Sequence, residues 1–202
     1  MTKRASQPQH LTFRGFAESL CWLDGRPLVD MIEPYRWRIF EQALDEYDGD
    51  RPRYNAIISG RAKKNWKTTD LVLAALYCLF ANDSPGGNQI YIVANDEDQA
   101  GDDLELAKKL IEANPVLAQH VTIRKRVIER KDGKGFIEVL AAGDVVGLHG
   151  KTYRFVGFDE IHGTARGMCS KRTSSTRPVP TRNSGSRVTR RCTTVPACRS
   201  ST

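Results

Sequence analysis

Long hydrophobic runs are missing from this 202-residue chain: the longest, Leu71 to Ala81, has eleven residues. A bilayer-spanning helix needs about 20, so the run suits a buried helix and excludes a membrane span. The N-terminal stretch Met1 to Pro8 carries charge but no apolar segment behind it, so no secretory signal is expected. Cysteine is scarce and unpaired in pattern. The five are Cys21, Cys78, Cys169, Cys192 and Cys198, an odd number with no C-x-x-C spacing. That excludes a disulfide framework and a zinc ribbon, and it points to a reducing, cytoplasmic setting.

Acidic residues are missing from one end. The formal net charge of +7 comes from 31 Lys and Arg against 24 Asp and Glu. Residues 164–202 hold nine of the basic residues and none of the acidic ones, leaving 22 basic against 24 acidic in residues 1–163. The basic character therefore belongs to the tail alone. The tail also lacks Leu, Ile and aromatics, so its Ser, Thr, Arg and Pro content cannot offset the entropy of ordering, and disorder is expected.

Residues 1–27 read as a mixed polar arm with scattered apolar positions, Leu11, Phe13, Phe16, Leu20 and Trp22. From Leu28 to Phe158 apolar segments alternate with polar turns. Ile39, Phe40, Ala43, Leu44 and Tyr47 recur at helical spacing after Pro34, a tolerated first-turn residue. Tyr54 to Ser59 reads as a short strand between Pro52 and Gly60. Thr68 to Ala81 reads as an apolar helix ending at the turn-rich Asn82 to Gly87. Gln89 to Ala94 is a strand apolar enough for burial on both faces. Asn95 is placed to cap a helix reaching about Ala113, with Asp96, Glu97 and Asp98 in its first turn. Val121 to Arg130 and Phe136 to Leu140 flank Asp132-Gly133-Lys134-Gly135, a hairpin signal, and Tyr153 to Phe158 is a last strand. This order defines an α/β protein with a mostly parallel sheet and flanking helices.

Two constellations carry chemistry. Ser59 to Thr69 lies between the first expected strand and the apolar helix, where a phosphate-binding loop belongs. Such a loop needs helix N-terminal amides, a Lys for the β- and γ-phosphates and a hydroxyl for Mg²⁺. Lys67 and Thr68 supply the last two, but Trp66 stands where the usual pattern has glycine and Gly60 lies one position too far upstream. The same residues also read as a basic surface loop. The second constellation, Phe155 to Glu160, is an apolar strand ending in Asp159-Glu160. One carboxylate there can serve a Mg²⁺ shell and the next can polarise an attacking water; alone, it is also an ordinary acidic strand end. Together they outweigh either half. His149 and His162 have no third partner for a metal site. Arg124, Lys125 and Arg126 fit a DNA-phosphate contact or a solvated hairpin face equally well. Trp22, Trp37 and Tyr35 read as core or adenine-side packing.

In order, these segments resemble the large terminase subunits of tailed double-stranded DNA phages, the ATPases that drive genome packaging. Pro34 to Phe40 resembles the family's adenine-side segment, and Arg61 to Thr68 its degenerate Walker A, which an Arg opens. Ile92 to Ala100 is similar to the strand and helix start that follow; Gly147 to Gly150 and Phe158 to Gly163 resemble the run through Walker B. The resemblance covers residues 28–163 and implies a partial ATPase domain of the P-loop NTPase (ASCE/RecA-like) fold. It implies ATP and Mg²⁺ as cofactors. Lys67 would contact the β- and γ-phosphates, Thr68 and Asp159 would hold Mg²⁺, Glu160 would be the general base, and Arg61 the γ-phosphate sensor. Lys64, Asn65, Trp66, Thr69, Tyr35 and Arg36 would line the nucleotide. The implied partners are double-stranded DNA, a small terminase subunit and a portal protein, with no membrane. A ring oligomer on the portal and the cytoplasm of a bacterial host complete the expectation.

The resemblance ends at Gly163. The family continues with a strand inserted between the Walker A and Walker B strands, and then with a nuclease domain. Neither is recognisable here, so an incomplete sheet, no nuclease activity and weak or absent ATPase activity are expected. For residues 164–202 two readings stand: an off-frame translation of the gene, or a basic disordered arm that grips nucleic acid. Two other functions also stand: a helicase-like P-loop ATPase, and a non-catalytic nucleic-acid-binding protein acting through its tail.

Overall fold

The computed structural model describes residues 11–48, 51–141 and 152–160. Gly147 to Gly150, with His149, and His162 and the basic tail lie outside the described residues. In chain order come α1 (Phe13–Glu18), a 3-10 turn (Leu28–Met31), α2 (Pro34–Phe40) and a π-helical turn (Glu41–Asp45). A two-strand ribbon follows, β1 (Tyr47–Asp48) with β2 (Arg51–Pro52), and then α3 (Lys67–Phe80), β3 (Asn88–Ala94) and α4 (Glu97–Glu112). The remainder is α5 (Pro115–Ala118), β4 (Val121–Ile123), β5 (Val127–Arg130), β6 (Gly135–Ala141) and β7 (Phe155–Phe158).

The main sheet has the order β4-β5-β6-β3-β7. Its apolar centre is β3, parallel to β6 on one side and to β7 on the other, with Ile92 opposite Val139 and Gly157. The basic stretch before the hairpin turn is itself folded: β4 and β5 pair antiparallel, and β5 then pairs antiparallel with β6. Helix α3 packs on β3, β6 and β7, and α4 packs on β3, β6 and α3. The eleven-residue apolar run therefore lies in the core, with Val72, Leu73, Ala75, Leu76 and Leu79 buried against Ile90, Ile92 and Ile137.

Local chemistry sets the element ends. Helix α4 is capped by Asp96, whose carboxylate accepts the Gln99 N–H at 2.9 Å, so the cap falls one residue beyond the expected Asn95. After α3, the Asn88 side chain donates to the Leu79 and Ala81 carbonyls at 3.1 and 3.2 Å, satisfying the helix end. The helical spacing after Pro34 extends through the π-helical turn to Asp45, but Tyr47 belongs to the ribbon. Residues 11–27 contribute to the same core. The Phe13 ring stacks on Phe40 at 3.9 Å and meets Trp37 and Tyr77 edge-on. Asn114 accepts the Cys21 N–H at 2.7 Å and donates back to its carbonyl.

One expected strand is corrected. Residues 54–60 form no strand, and Ile58 is 89% exposed. A strand is held by ladder partners and by burial of a face, and this segment has neither among the described residues. Among the described residues β7 pairs with β3 alone and is an edge strand of the sheet.

Candidate functional site

The loop entering α3 is held in a conformation normally left to glycine. Lys64 and Trp66 have φ of 61° and 59°, the left-handed region, which costs an L-residue about 1–2 kcal/mol each. Trp66 thus adopts the backbone geometry for which a glycine was expected, and packing holds it there. Its ring meets Trp22 edge-on at 5.6 Å, and the Arg36 guanidinium lies 5.0 Å from its centre. Trp66 is also the N-cap of α3 and supplies no side-chain acceptor to the first-turn amides. A 14-residue helix starting this way offers N–H groups and a positive dipole end to an anion.

Lys67, Thr68 and Thr69 form the first turn of α3 and are half-buried; Lys67 has no ion-pair partner among the described residues. The Thr68 hydroxyl donates to the Asp159 carboxylate at 2.7 Å, joining residues 91 positions apart. Asp159 is placed by the sheet: β7 ends one residue earlier, and the Asp159 N–H continues the ladder by donating to the Val93 carbonyl at 2.9 Å. Close approach of β7 to α3 depends on Gly157, where a Cβ would collide with a Leu71 methyl. Asp159 is buried. Glu160 is exposed, with φ 51°, and its N–H donates to the Asp159 carboxylate at 3.1 Å. The two constellations read from the sequence therefore meet at one place.

The remaining candidates fall differently. Arg61 lies against the first turn of α3, with Nη2 at 2.7 Å from Asp70 Oδ2. Arg36, only 1% exposed, donates through Nε and Nη2 to Asp70 Oδ1 and through Nη1 to Glu33 and the Met31 carbonyl. The Arg36 side chain is thus committed to structural partners, and Tyr35 beside it is exposed. Lys64 and Asn65 are exposed loop positions. In the basic cluster, Arg124 pairs with Glu129 at 2.9 Å and Arg126 with Glu97 at 3.4 Å, so two of its three charges are offset on the surface.

Three residues near the site were not singled out from the sequence. Gln99 donates to Asp159 Oδ2 at 3.3 Å. Asp70 bridges the two arginines. Asp103, one turn beyond Gln99 on α4, is buried with its Oδ2 unpartnered. Burial, followed by the negative charges of Asp159, Asp102 and Glu160, pushes the Asp103 carboxyl up to about 7. The only signal in the sequence was an acid at a position that helical spacing puts on the buried face of α4, with Ala100, Leu104 and Ala107.

A hydroxyl and a carboxylate at hydrogen-bond distance are hard oxygen donors of the kind Mg²⁺ takes. No group of three or more His, Cys, Asp or Glu among the described residues could hold a metal. The donor set thus fits a cation that arrives with phosphate oxygens and is not suited to an all-protein cage.

A central parallel strand pair, an anion-ready helix start and a hydroxyl–carboxylate contact between them define a P-loop α/β protein. Residues 48–177 match the family described as terminase large subunit, ATPase domain, and the chain belongs to that family. The fold is similar to that of the HK97 bacteriophage large terminase: TM-score 0.58, 19% identity, 82% of this chain and 35% of that one covered. A second structure, the Thermus phage P74-26 large terminase ATPase domain, matches at TM-score 0.46 and 17% identity over 66% of this chain and 61% of that one. The chain thus spans less than two thirds of the length of either structure. No curated protein matches it. No helix among the described residues is long and apolar enough to cross a membrane.

Proposed function

We propose that this chain is the nucleotide-handling part of a phage DNA-packaging motor. It would use Mg²⁺-ATP in a bacterial host's cytoplasm to drive double-stranded DNA into a procapsid. The whole motor would engage a small terminase subunit and a portal, in a ring. The observation that supports the reading is the Thr68–Asp159 hydrogen bond at 2.7 Å, because a helix-start hydroxyl and a strand-end carboxylate this close could both meet one phosphate-bound cation. When bound, Mg²⁺ neutralises charge on the transferring phosphoryl group.

The chain's own residues do the rest. The open first turn of α3 receives phosphate oxygens, and Lys67 contacts the β- and γ-phosphates. Thr68 and Asp159 hold the cation, with Gln99 steadying the Asp159 carboxylate. Glu160, exposed beside Asp159, orients the attacking water and accepts its proton. Arg61 contacts the γ-phosphate.

Calorimetric titration of the full chain with Mg²⁺ and a non-hydrolysable ATP analogue tests this. Lys67→Ala is expected to weaken binding about 10- to 100-fold, the loss of a charge-assisted contact. Glu160→Gln should bind as tightly as the wild type. Unchanged affinity in Lys67→Ala rejects the assignment.

A further inference from the structure

An acid on the first turn of a phosphate-binding helix needs explaining. Asp70 is buried, three residues beyond Lys67, and its charge would repel the anion that the helix start attracts. The structure shows what offsets it. One oxygen accepts from Arg36 and the other faces Arg61, so a single carboxylate lies between two guanidinium groups. With Glu33 on the far side of Arg36, two guanidinium groups face two carboxylates, and the cluster is balanced in charge.

Its hydrogen bonding is uneven, and Arg61 is the less satisfied of the two arginines. Arg36 uses Nε, Nη1 and Nη2 on Asp70, Glu33 and the Met31 carbonyl. Arg61 uses Nη2 alone, and its Nε and Nη1 are buried without a partner. Unpaired charged donors in a buried setting are costly unless something accepts from them. An arginine held by one nitrogen on the first turn of an uncapped helix, with two buried donors unpartnered, suits an oxyanion.

We infer that Asp70 is the positioning residue for Arg61: by bridging it to the buried Arg36, Asp70 holds the Arg61 guanidinium with free donors ready for the terminal phosphate of a nucleoside triphosphate. This rests on the nucleotide reading of the loop and adds to it how the chain distinguishes triphosphate from diphosphate. Arg36 then acts as an anchor, tying Arg61 through Asp70 to α2. The packing of Arg36 on Trp66 joins the same anchor to the left-handed loop.

The test compares affinity for Mg²⁺-bound non-hydrolysable ATP analogue with affinity for Mg²⁺-ADP, by calorimetry on the full chain. Arg61→Ala leaves the Arg36–Asp70 pair intact and should erase about tenfold of the preference for triphosphate, with ADP affinity unchanged. Asp70→Asn should do the same, and the double variant should be no worse than either single, since both act through one contact. If Asp70→Asn does not fold, Arg36→Gln combined with Asp70→Asn, which removes both partners of the more deeply buried pair together, replaces it. Loss of the preference in Arg61→Ala but not in the Asp70 variant overturns the positioning role. Loss of ADP and triphosphate binding in equal measure in the Asp70 variant overturns it too, since a merely structural residue would do that. A wild type that binds neither nucleotide, or a Lys67→Ala variant that binds both normally, overturns the nucleotide reading and this inference with it.

Discussion

Asp159 and Thr68 meet across one short hydrogen bond, but the backbones behind them are held in different ways. Asp159 extends a strand that pairs in register with β3, at the buried centre of the sheet. The loop that delivers Thr68 leaves an exposed segment without ladder bonds and passes through two left-handed residues before the helix begins. Upstream of the helix's own first hydrogen bond, side chains hold it among the described residues: Trp66 against Trp22 and Arg36, and Arg61 on Asp70. Main-chain pairing thus builds one half of the site, and a small aromatic and ionic cluster builds the other. The first half should therefore be sensitive to changes of close packing, and the second to changes in the cluster.

The largest effect expected on the sheet half comes from Asp103. Its carboxyl titrates near 7 when folded and near 4 when unfolded, so from about pH 4 to pH 7 the unfolded chain releases a proton that the folded chain keeps. Stability therefore falls with rising pH across that window, and the penalty is complete above it. Asp103→Asn should match the wild type below pH 4 and gain progressively to a plateau above pH 7, by up to about 4 kcal/mol. Urea unfolding across this pH range is the measurement; a constant difference at all pH values would remove Asp103 from the account.

Smaller is the effect of Gly157→Ala. The added Cβ would collide with Leu71, forcing β7 and α3 apart, at a cost of about 1–3 kcal/mol by overpacking. Thermal unfolding checks it, and Mg²⁺-dependent nucleotide binding should weaken at the same time because Asp159 moves from Thr68. Smallest of all is Ile58→Ser. In a paired central strand a large aliphatic truncation costs several kcal/mol, but Ile58 is exposed, so a change within about 0.5 kcal/mol is expected. A loss above 2 kcal/mol would mean that residues 54–60 are buried and paired in solution, erasing the contrast between the two halves.

Much of the sheet half was legible in the sequence. The apolar runs at β3 and α3, the turn at Asn82 to Gly87 and the Asp159-Glu160 strand end all carry period and composition signals. Pairing across 91 positions followed from having both motifs, not from either alone. The loop half was less legible. Tyr54 to Ser59 has strand composition, but composition says nothing about whether a ladder partner is present. Trp66 breaks the glycine pattern while its backbone follows it, because tertiary contacts offset the strain. Asp70, Gln99 and Asp103 carry no motif; what marks them is proximity in three dimensions, which a helix spacing suggests only for Asp103.

On this reading α3 and β7 form one cation-assisted phosphate site. The most direct measurement is calorimetric affinity for a non-hydrolysable ATP analogue with and without Mg²⁺, in the wild type and in Thr68→Ala. Mg²⁺ is expected to tighten binding to the wild type, and Thr68→Ala to lose most of this gain while keeping its Mg²⁺-free affinity. A Thr68→Ala chain with the full Mg²⁺ enhancement would contradict this reading.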